Sequence, residues 1–90
     1  MEINFDKEKL QIISNYFGLE NQKLKLIEES SELIKELAKN NNQEHILEEM
    51  SYTLIVLYQY ILLTKSNNKI NKIIKYKINR TIERIKNGYY

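Results

Sequence analysis

The chain of 90 residues contains no cysteine and no proline, and glycine occurs only at Gly18 and Gly88. Without cysteine, the protein has neither disulfides nor a thiolate metal site. Without proline, and with glycine this rare, nothing breaks long helices. The composition therefore favours one helical domain spanning residues 1–90, small enough that association would help it to bury a core.

Long hydrophobic runs are also missing. The longest covers residues 54–63, is interrupted by Gln59 and is too short to span a bilayer. The N-terminal segment is charged and has no apolar run of the kind found in signal peptides. We therefore expect a soluble, cytoplasmic protein with no membrane partner.

Acidic side chains are scarce in the second half of the chain. Residues 1–50 carry 11 acidic and 6 basic side chains, whereas residues 51–90 carry 1 acidic and 8 basic ones. This asymmetry fits a basic helix packed against an acidic one, or a metal site in one half and a phosphate site in the other. A short basic helix alone is weak evidence for nucleic acid, so a nucleic-acid partner is not expected.

The apolar spacing predicts four helices. Asp6 suits the N-cap of the first helix and Gly18 suits its C-terminal end, while residues 1–5 form a loose lead-in. The helices are expected at about residues 7–17, 20–39, 44–64 and 70–86, with polar turns at residues 40–43 and 65–69.

Two predicted helices carry a polar stripe beside an apolar one. In the second helix, the predicted core stripe is Leu26, Ser30, Leu33, Ile34 and Leu37, and the neighbouring stripe is Gln22, Lys25, Glu29, Glu32 and Glu36. In the fourth helix, the predicted core stripe is Ile70, Ile74, Ile78, Ile82 and Ile85, and the neighbouring stripe is Ile73, Lys77, Arg80 and Arg84. Polar side chains beside a core face can line a cleft.

The third helix is apolar nearly all round in its second half, and such a helix favours burial on every side. A bundle of 90 residues can hardly provide that burial. We predict a homodimer or higher oligomer with Leu54, Leu57 and Ile61 in or near the interface. The alternative is a central helix in a monomer.

Two carboxylate clusters lie on the second and third helices. The first has the pattern EExxE from Glu28 to Glu32, and the second has Glu49 followed three residues later by Tyr52. If the two helices pack antiparallel, the first cluster faces Glu49 and Tyr52. The alternative is an ordinary acidic helix surface.

These motifs resemble the MazG-like all-α nucleoside triphosphate pyrophosphatases, whose signature is EExxE followed by ExxD. The resemblance covers most of the chain and implies an all-α, four-helix bundle-like protomer that is oligomeric. It also implies that Glu29, Glu32 and Glu49 ligate Mg²⁺. Tyr52 stands where the family has Asp. Because a neutral phenol is a poor Mg²⁺ ligand, we expect weak metal binding and no catalytic residues.

The resemblance also points to a nucleotide ligand. It implies phosphate contacts from Lys77, Arg80 and Arg84, for which the alternative is a solvated basic face. Gln22 is expected to contact base or sugar, although it also reads as an ordinary polar residue at a helix start. Tyr52 has a ring that can stack on a base. His45, one turn before Glu49, is a possible substitute ligand, but a lone histidine at a helix start is more often a surface residue.

Three functions remain open from the sequence. The first is a nucleotide-binding protein with a degenerate metal site that sequesters a phosphorylated nucleotide or nucleotide signal. The second is an active Mg²⁺-dependent nucleoside triphosphate pyrophosphohydrolase. The third is a helical interaction or regulatory protein without a small ligand.

Overall fold

A computed structural model of the protein describes residues 2–39 and 42–88, which form four α-helices and no strand. The predicted all-α class is therefore confirmed for these residues. The largest difference in bounds is at the last helix, which begins three residues earlier than predicted. The helices are α1 (Lys7–Phe17), α2 (Leu19–Lys39), α3 (Gln43–Thr64) and α4 (Asn67–Lys86).

The two predicted ends of α1 are confirmed. The Asp6 carboxylate accepts a hydrogen bond from the Lys9 amide at 3.2 Å and so caps the first turn. Gly18 has a positive φ of 83°, and its amide donates to the carbonyl of Ser14 at 2.8 Å. The lead-in is not loose throughout, because Phe5 stacks on Tyr58 of α3 with ring centroids 4.7 Å apart.

The turns on either side of α3 are short. Asn42 caps α3 by accepting from the Glu44 amide at 2.9 Å, while Asn40 and Asn41, which belong to the predicted turn, lie outside the described residues. Lys65 ends α3 in the left-handed conformation, and α4 starts two residues later. The predicted turn at residues 65–69 is therefore wrong over its last three residues, which are helical.

Helices α2 and α3 pack as an antiparallel pair, and α1 packs against both. The Thr53 hydroxyl donates to the Glu29 carbonyl at 3.3 Å, which fixes the level at which the pair meets. The described core is small and mixed. It buries the apolar side chains of Leu10, Ile46 and Val56 and the polar side chains of Ser14, Gln22, Glu29 and Gln59.

The face of α2 that packs inward differs from the predicted core stripe. Gln22 and Glu29 are buried, whereas Ile34 and Leu37 are exposed. The inward line follows positions 22, 26, 29 and 33, so α2 is rotated towards the polar stripe. Helical periodicity identified two adjacent stripes on α2. Hydrophobicity predicted that the apolar stripe is the buried one, whereas the two buried residues, Gln22 and Glu29, belong to the polar stripe.

Helix α3 is central but incompletely covered. Most of residues 54–63 are half-buried, and Leu57 is exposed. In the described part of the chain, α3 is the one helix long and apolar enough to cross a membrane by length and composition, although it packs on α1 and α2. An interface at Leu54, Leu57 and Ile61 stays a prediction.

Helix α4 does not join this packing to any comparable extent. The predicted core stripe of α4 is not a core within the protomer, because the side chains from Ile74 onwards are exposed. Only Ile70, in the first turn, is half-buried. The described protomer is thus a three-helix unit with an amphipathic fourth helix beside it.

Candidate functional site

A carboxylate pair forms where α2 meets α3. Glu29 is buried and Glu49 is half-buried. Burial raises the pKa of the Glu49 carboxyl above its usual range. Hydrogen bonding to Glu29 and the negative charge of Glu29 raise this pKa further, ahead of smaller contributions from the charges of Glu32 and Glu36. The predicted facing of the two clusters is therefore observed at this pair.

Lys25 partly neutralises the pair. Its ammonium lies 3.4 Å from a carboxylate oxygen of Glu29 and 3.4 Å from one of Glu28. Hydrogen bonding to Glu29 and the charge of Glu28 raise the pKa of Lys25. The Glu49 Oε2 atom is buried and has no hydrogen-bond partner. Lys25 therefore serves both Glu28 and Glu29, while Glu49 lacks a counter-charge of its own.

The three predicted metal ligands do not converge. Glu32 is half-buried and lies 4.0 Å from the ammonium of Lys35. Among residues 2–39 and 42–88, no three acidic or histidine side chains are grouped so that they could hold a metal ion. His45 is exposed at the start of α3. As arranged, these side chains do not fit a ready-made Mg²⁺ site, and Mg²⁺ binding stays a prediction.

A pocket of about 710 Å³ lies between α1, α2 and α3, next to this pair. Its volume falls within the range of small-molecule sites, roughly 300–1,000 Å³. Gln22 and Gln59 are 4% and 3% exposed, so their amides are almost fully removed from solvent. The lining residues are Ile13, Phe17, Asn21, Gln22, Lys25, Tyr52, Ile55, Val56 and Gln59.

Gln22 carries an unmet hydrogen-bonding group beside this pocket. Its Oε1 atom is buried without a partner. An unpaired buried polar atom costs free energy on the order of 1–3 kcal/mol, and a ligand that donates a hydrogen bond would recover part of that cost. The pocket therefore has apolar and aromatic walls, and the Gln22 acceptor without a donor is buried behind this lining.

Tyr52 is exposed and lines two concave surfaces at once. One is the large pocket, and the other is a shallow groove of about 270 Å³ on α3. The residue that departs from the ExxD pattern is therefore placed at the pocket rim, where its ring can cover a flat ligand. We call the shallow groove the α3 groove; it is lined by Leu47, Glu48, Ser51, Tyr52 and Ile55.

The predicted phosphate-binding residues are on another part of the protomer. Lys77, Arg80 and Arg84 are exposed on α4 and do not line the pocket. The Arg80 guanidinium lies 5.8 Å from the centre of the Tyr76 ring, a cation–π contact within α4. The structure thus brings Gln22 and Tyr52 near the carboxylates but leaves the basic stripe apart from them.

Sequence reasoning did not assign six lining residues to a ligand pocket: Ile13, Phe17, Asn21, Ile55, Val56 and Gln59. Among these residues, Gln59 could have been recognised from the sequence. An amide inside the apolar run of residues 54–63 needs a hydrogen-bond partner if it is buried. Phe17 looked like ordinary core spacing on α1. Its place at the pocket depends on how α1 crosses α3, which local sequence does not encode.

Comparisons with models of protein families, with curated proteins and with solved structures found no match. No comparison therefore supports the MazG-like resemblance, which stays an interpretation of the sequence. The geometry of the pocket and of the carboxylate pair provides independent ground for a functional proposal.

Proposed function

We propose that the chain binds a phosphorylated nucleotide, with the base in the pocket between α1, α2 and α3, and sequesters it in the cytoplasm without hydrolysing it. The observation that carries this proposal is the buried, unpartnered Oε1 atom of Gln22 at a pocket large enough for a small molecule. A buried polar atom without a partner needs an explanation, and a ligand that donates a hydrogen bond to it is the one proposed here.

The base end of the proposed site is supported by its mixed lining. Phe17 and Tyr52 offer aromatic surface, which favours flat rings. Gln22 and Gln59 offer amide donors and acceptors, which match the hydrogen-bonding edge of a nucleobase. Apolar walls with a few buried amides are typical of pockets that select one flat ligand among many.

The phosphate end is supported by Lys25, which lines the pocket and is the cation nearest the carboxylate pair. Moving this ammonium from Glu29 to a phosphate oxygen would exchange one charge-assisted contact for another. The uncovered charges of Glu29 and Glu49 would repel phosphate, so further positive charge is required. Lys77, Arg80 and Arg84 are the proposed source, although α4 of the same protomer does not pack at the site.

Sequestration is preferred to hydrolysis because of Tyr52. Glu29, Glu32 and Glu49 would supply at most three carboxylates, and Tyr52 supplies a phenol, a poor Mg²⁺ ligand, where the resembled family has a fourth. Two-metal phosphoryl chemistry needs enough carboxylates to hold two cations against the substrate phosphates. With the third carboxylate directed towards Lys35, we assign no step of a reaction to a metal ion.

One observation favours the second candidate, an Mg²⁺-dependent pyrophosphohydrolase. Glu29 and Glu49 lie close enough for the pKa of Glu49 to rise, and a divalent cation between them would relieve the same repulsion. That candidate requires Glu28, Glu48 or His45 to replace the missing Asp. The third candidate, a helical interaction protein, is favoured by the uncovered face of α4.

The first experiment identifies the ligand. The protein is exposed to a mixture of nucleotides, washed and heated, and the released small molecules are analysed by mass spectrometry. Recovery of an unchanged nucleotide supports sequestration, and release of pyrophosphate in the presence of Mg²⁺ supports the enzyme. If no nucleotide is retained and calorimetry detects no binding, the nucleotide proposal is wrong.

A pair of leucine variants then tests the pocket. Gln22→Leu replaces the unpartnered amide by a slightly smaller apolar side chain, so we expect affinity to fall about threefold to tenfold. Gln43→Leu makes the same chemical change at an exposed position at the start of α3, and we expect no change in affinity. Equal affinity in both variants would exclude Gln22 from the site.

Tyr52→Asp separates binding from hydrolysis. If the missing carboxylate is what prevents turnover, this variant releases pyrophosphate with Mg²⁺ or Mn²⁺ while the unaltered protein does not. The assay compares both proteins on the eight common nucleoside and deoxynucleoside triphosphates. Robust metal-dependent turnover by the unaltered protein would contradict sequestration and would show that the protein is an enzyme.

A further inference from the structure

Helix α4 presents an apolar face that its own protomer leaves uncovered. Four isoleucines, at 46–59% exposure, line one side of a helix of 20 residues. A contiguous row of large apolar side chains in water marks an interaction surface. We call this row the isoleucine face; it consists of Ile74, Ile78, Ile82 and Ile85.

The same helix is strongly basic. Residues 67–86 carry seven lysine and arginine side chains and one glutamate, and none of them forms an ion pair within the described residues. Lys77, Arg80 and Arg84 share one side of α4 because they are three and four positions apart. Two α4 helices packed on each other would bring like charges together. A surface that covers the isoleucine face should therefore be acidic.

The α3 groove has the matching chemistry. Leu47, Tyr52 and Ile55 give it an apolar floor, and Glu48 places a carboxylate in its wall. Glu49, next along the chain, lacks a counter-charge for its buried oxygen. The α2–α3 region from residue 19 to residue 53 carries eight acidic and four basic side chains. Its negative balance complements the positive balance of α4.

We propose that the isoleucine face of α4 docks in the α3 groove of a second copy of this chain, in a reciprocal dimer. The isoleucines cover Leu47 and Ile55 of the partner copy, and the arginines of α4 approach its carboxylates. The dimer requires no nucleotide, so it stands apart from the proposed binding function. If both hold, each nucleotide site takes its pocket from one copy and its basic stripe from the other.

Two features favour a second copy over an anionic membrane, which a basic amphipathic helix could also bind. The complementary acidic and apolar surfaces are both present on this chain and both exposed, so two copies satisfy each other. At about 1.5 Å per residue, α4 and α3 also have nearly equal lengths, so one can lie along the other. Membrane binding becomes the competing outcome of the test.

The absence of cysteine makes the contact directly testable by disulfide trapping. One chain carries Ser51→Cys, in the α3 groove, and a second chain carries Ile82→Cys, on the isoleucine face. After mixing and mild oxidation, we expect a disulfide-linked heterodimer of twice the 10.9 kDa chain mass. Asn15→Cys, at an exposed position of α1, replaces Ser51→Cys as the control and should give no comparable product.

A chain with both Ser51→Cys and Ile82→Cys distinguishes docking of α4 on a second copy from docking of α4 within the same chain. Docking between copies gives a linked dimer at micromolar concentration. A linked monomer would mean that α4 folds back on its own α3, which overturns the proposal. A dimer by light scattering that gives no Ser51–Ile82 link would place the interface elsewhere, for example at Leu54, Leu57 and Ile61, and would also overturn it.

Two neighbouring substitutions test the face itself. Ile78→Glu adds a charge to the isoleucine face and should raise the dimer dissociation constant about tenfold or more. Asn79→Glu makes the same charge change about 100° round the helix and should change it much less. Circular dichroism checks that both variants keep α4. A monomeric protein that floats with anionic vesicles, and loses flotation in Ile78→Glu, would overturn the dimer in favour of a membrane surface.

Discussion

Helices α3 and α4 follow each other in the chain, have nearly equal lengths and both carry apolar surface, yet only α3 is packed. Helix α3 buries Ile46, Val56 and Gln59 against α1 and α2, whereas α4 buries no side chain fully. The difference is one of partners, because α3 has two neighbours in the protomer and α4 has none comparable. An amphipathic pattern therefore predicts which side of a helix favours burial, but not which surface buries it.

The comparison between α3 and α4 predicts that one charged substitution in each helix will change the free energy of unfolding by very different amounts. Val56→Asp places a charge in the core of the three-helix unit and should lower the free energy of unfolding by about 3 kcal/mol or more. Ile78→Asp makes a similar change on exposed α4 and should lower it by less than about 0.5 kcal/mol in dilute solution. Urea unfolding followed by circular dichroism measures both. Similar losses in the two variants would mean that α4 packs within the protomer.

The basic stripe of α4 should matter for ligand binding more than for folding. Loss of one charge-assisted phosphate contact in Arg80→Ala should cost roughly 1.5–3 kcal/mol of nucleotide affinity. Lys72→Ala removes a charge from another side of α4 and should leave affinity nearly unchanged. Isothermal titration calorimetry compares the two variants with the unaltered protein. Unchanged affinity in Arg80→Ala would remove this stripe from the site.

Helix caps give a smaller contrast between the packed and unpacked helices. Asn42 caps α3 through a side-chain hydrogen bond, whereas Ser66 makes no such bond at the start of α4. Asn42→Ala should therefore lower stability by about 1 kcal/mol, and Ser66→Ala by a few tenths of that value. Thermal unfolding measures the stability lost in each variant. A larger loss of stability in Ser66→Ala than in Asn42→Ala would contradict this prediction.

The smallest expected effect is a change in how stability varies with pH. Because folding raises the pKa of Glu49, the folded state holds its proton more tightly, and stability falls as the pH rises from 4.5 through the raised value. Glu49→Gln should be more stable than the unaltered protein near neutral pH, with no advantage in acid. Glu48→Gln, at the exposed neighbouring position, is the control. An advantage that does not depend on pH would have a different cause.

Much of the fold followed from local patterns. The Asp6 cap, the Gly18 end of α1 and four apolar repeats without a breaker predicted the helices to within a few residues. Antiparallel packing was the condition under which the two carboxylate clusters were expected to face each other, and a short polar turn between two long helices favours that arrangement. The predicted turn before α4 was three residues too long, because asparagine-rich sequence is common in turns and also occurs in the first turns of helices.

The candidate site was predicted less completely. Gln22 and Tyr52, which were predicted to contact a nucleotide, line the pocket, but three converging metal ligands are not observed in the described residues. Glu29 is buried where α2 meets α3, whereas Glu32, three positions further along α2, is only half-buried and lies 4.0 Å from the ammonium of Lys35. A spacing of three positions specifies a side of a helix, while a metal site needs oxygen atoms placed within a few tenths of an ångström.

The sequence by itself determined the all-α class, the ends of α1 and the separation of acidic from basic halves, because capping, helical spacing and charge are local properties. Tertiary structure decided which stripe of α2 is buried, that Gln59 and Phe17 line one pocket with Gln22, and that α4 stays uncovered. These outcomes depend on how helices rotate and cross, which is set by packing several faces at once. Local pattern offered more than one acceptable face, and only the assembled core selected between them.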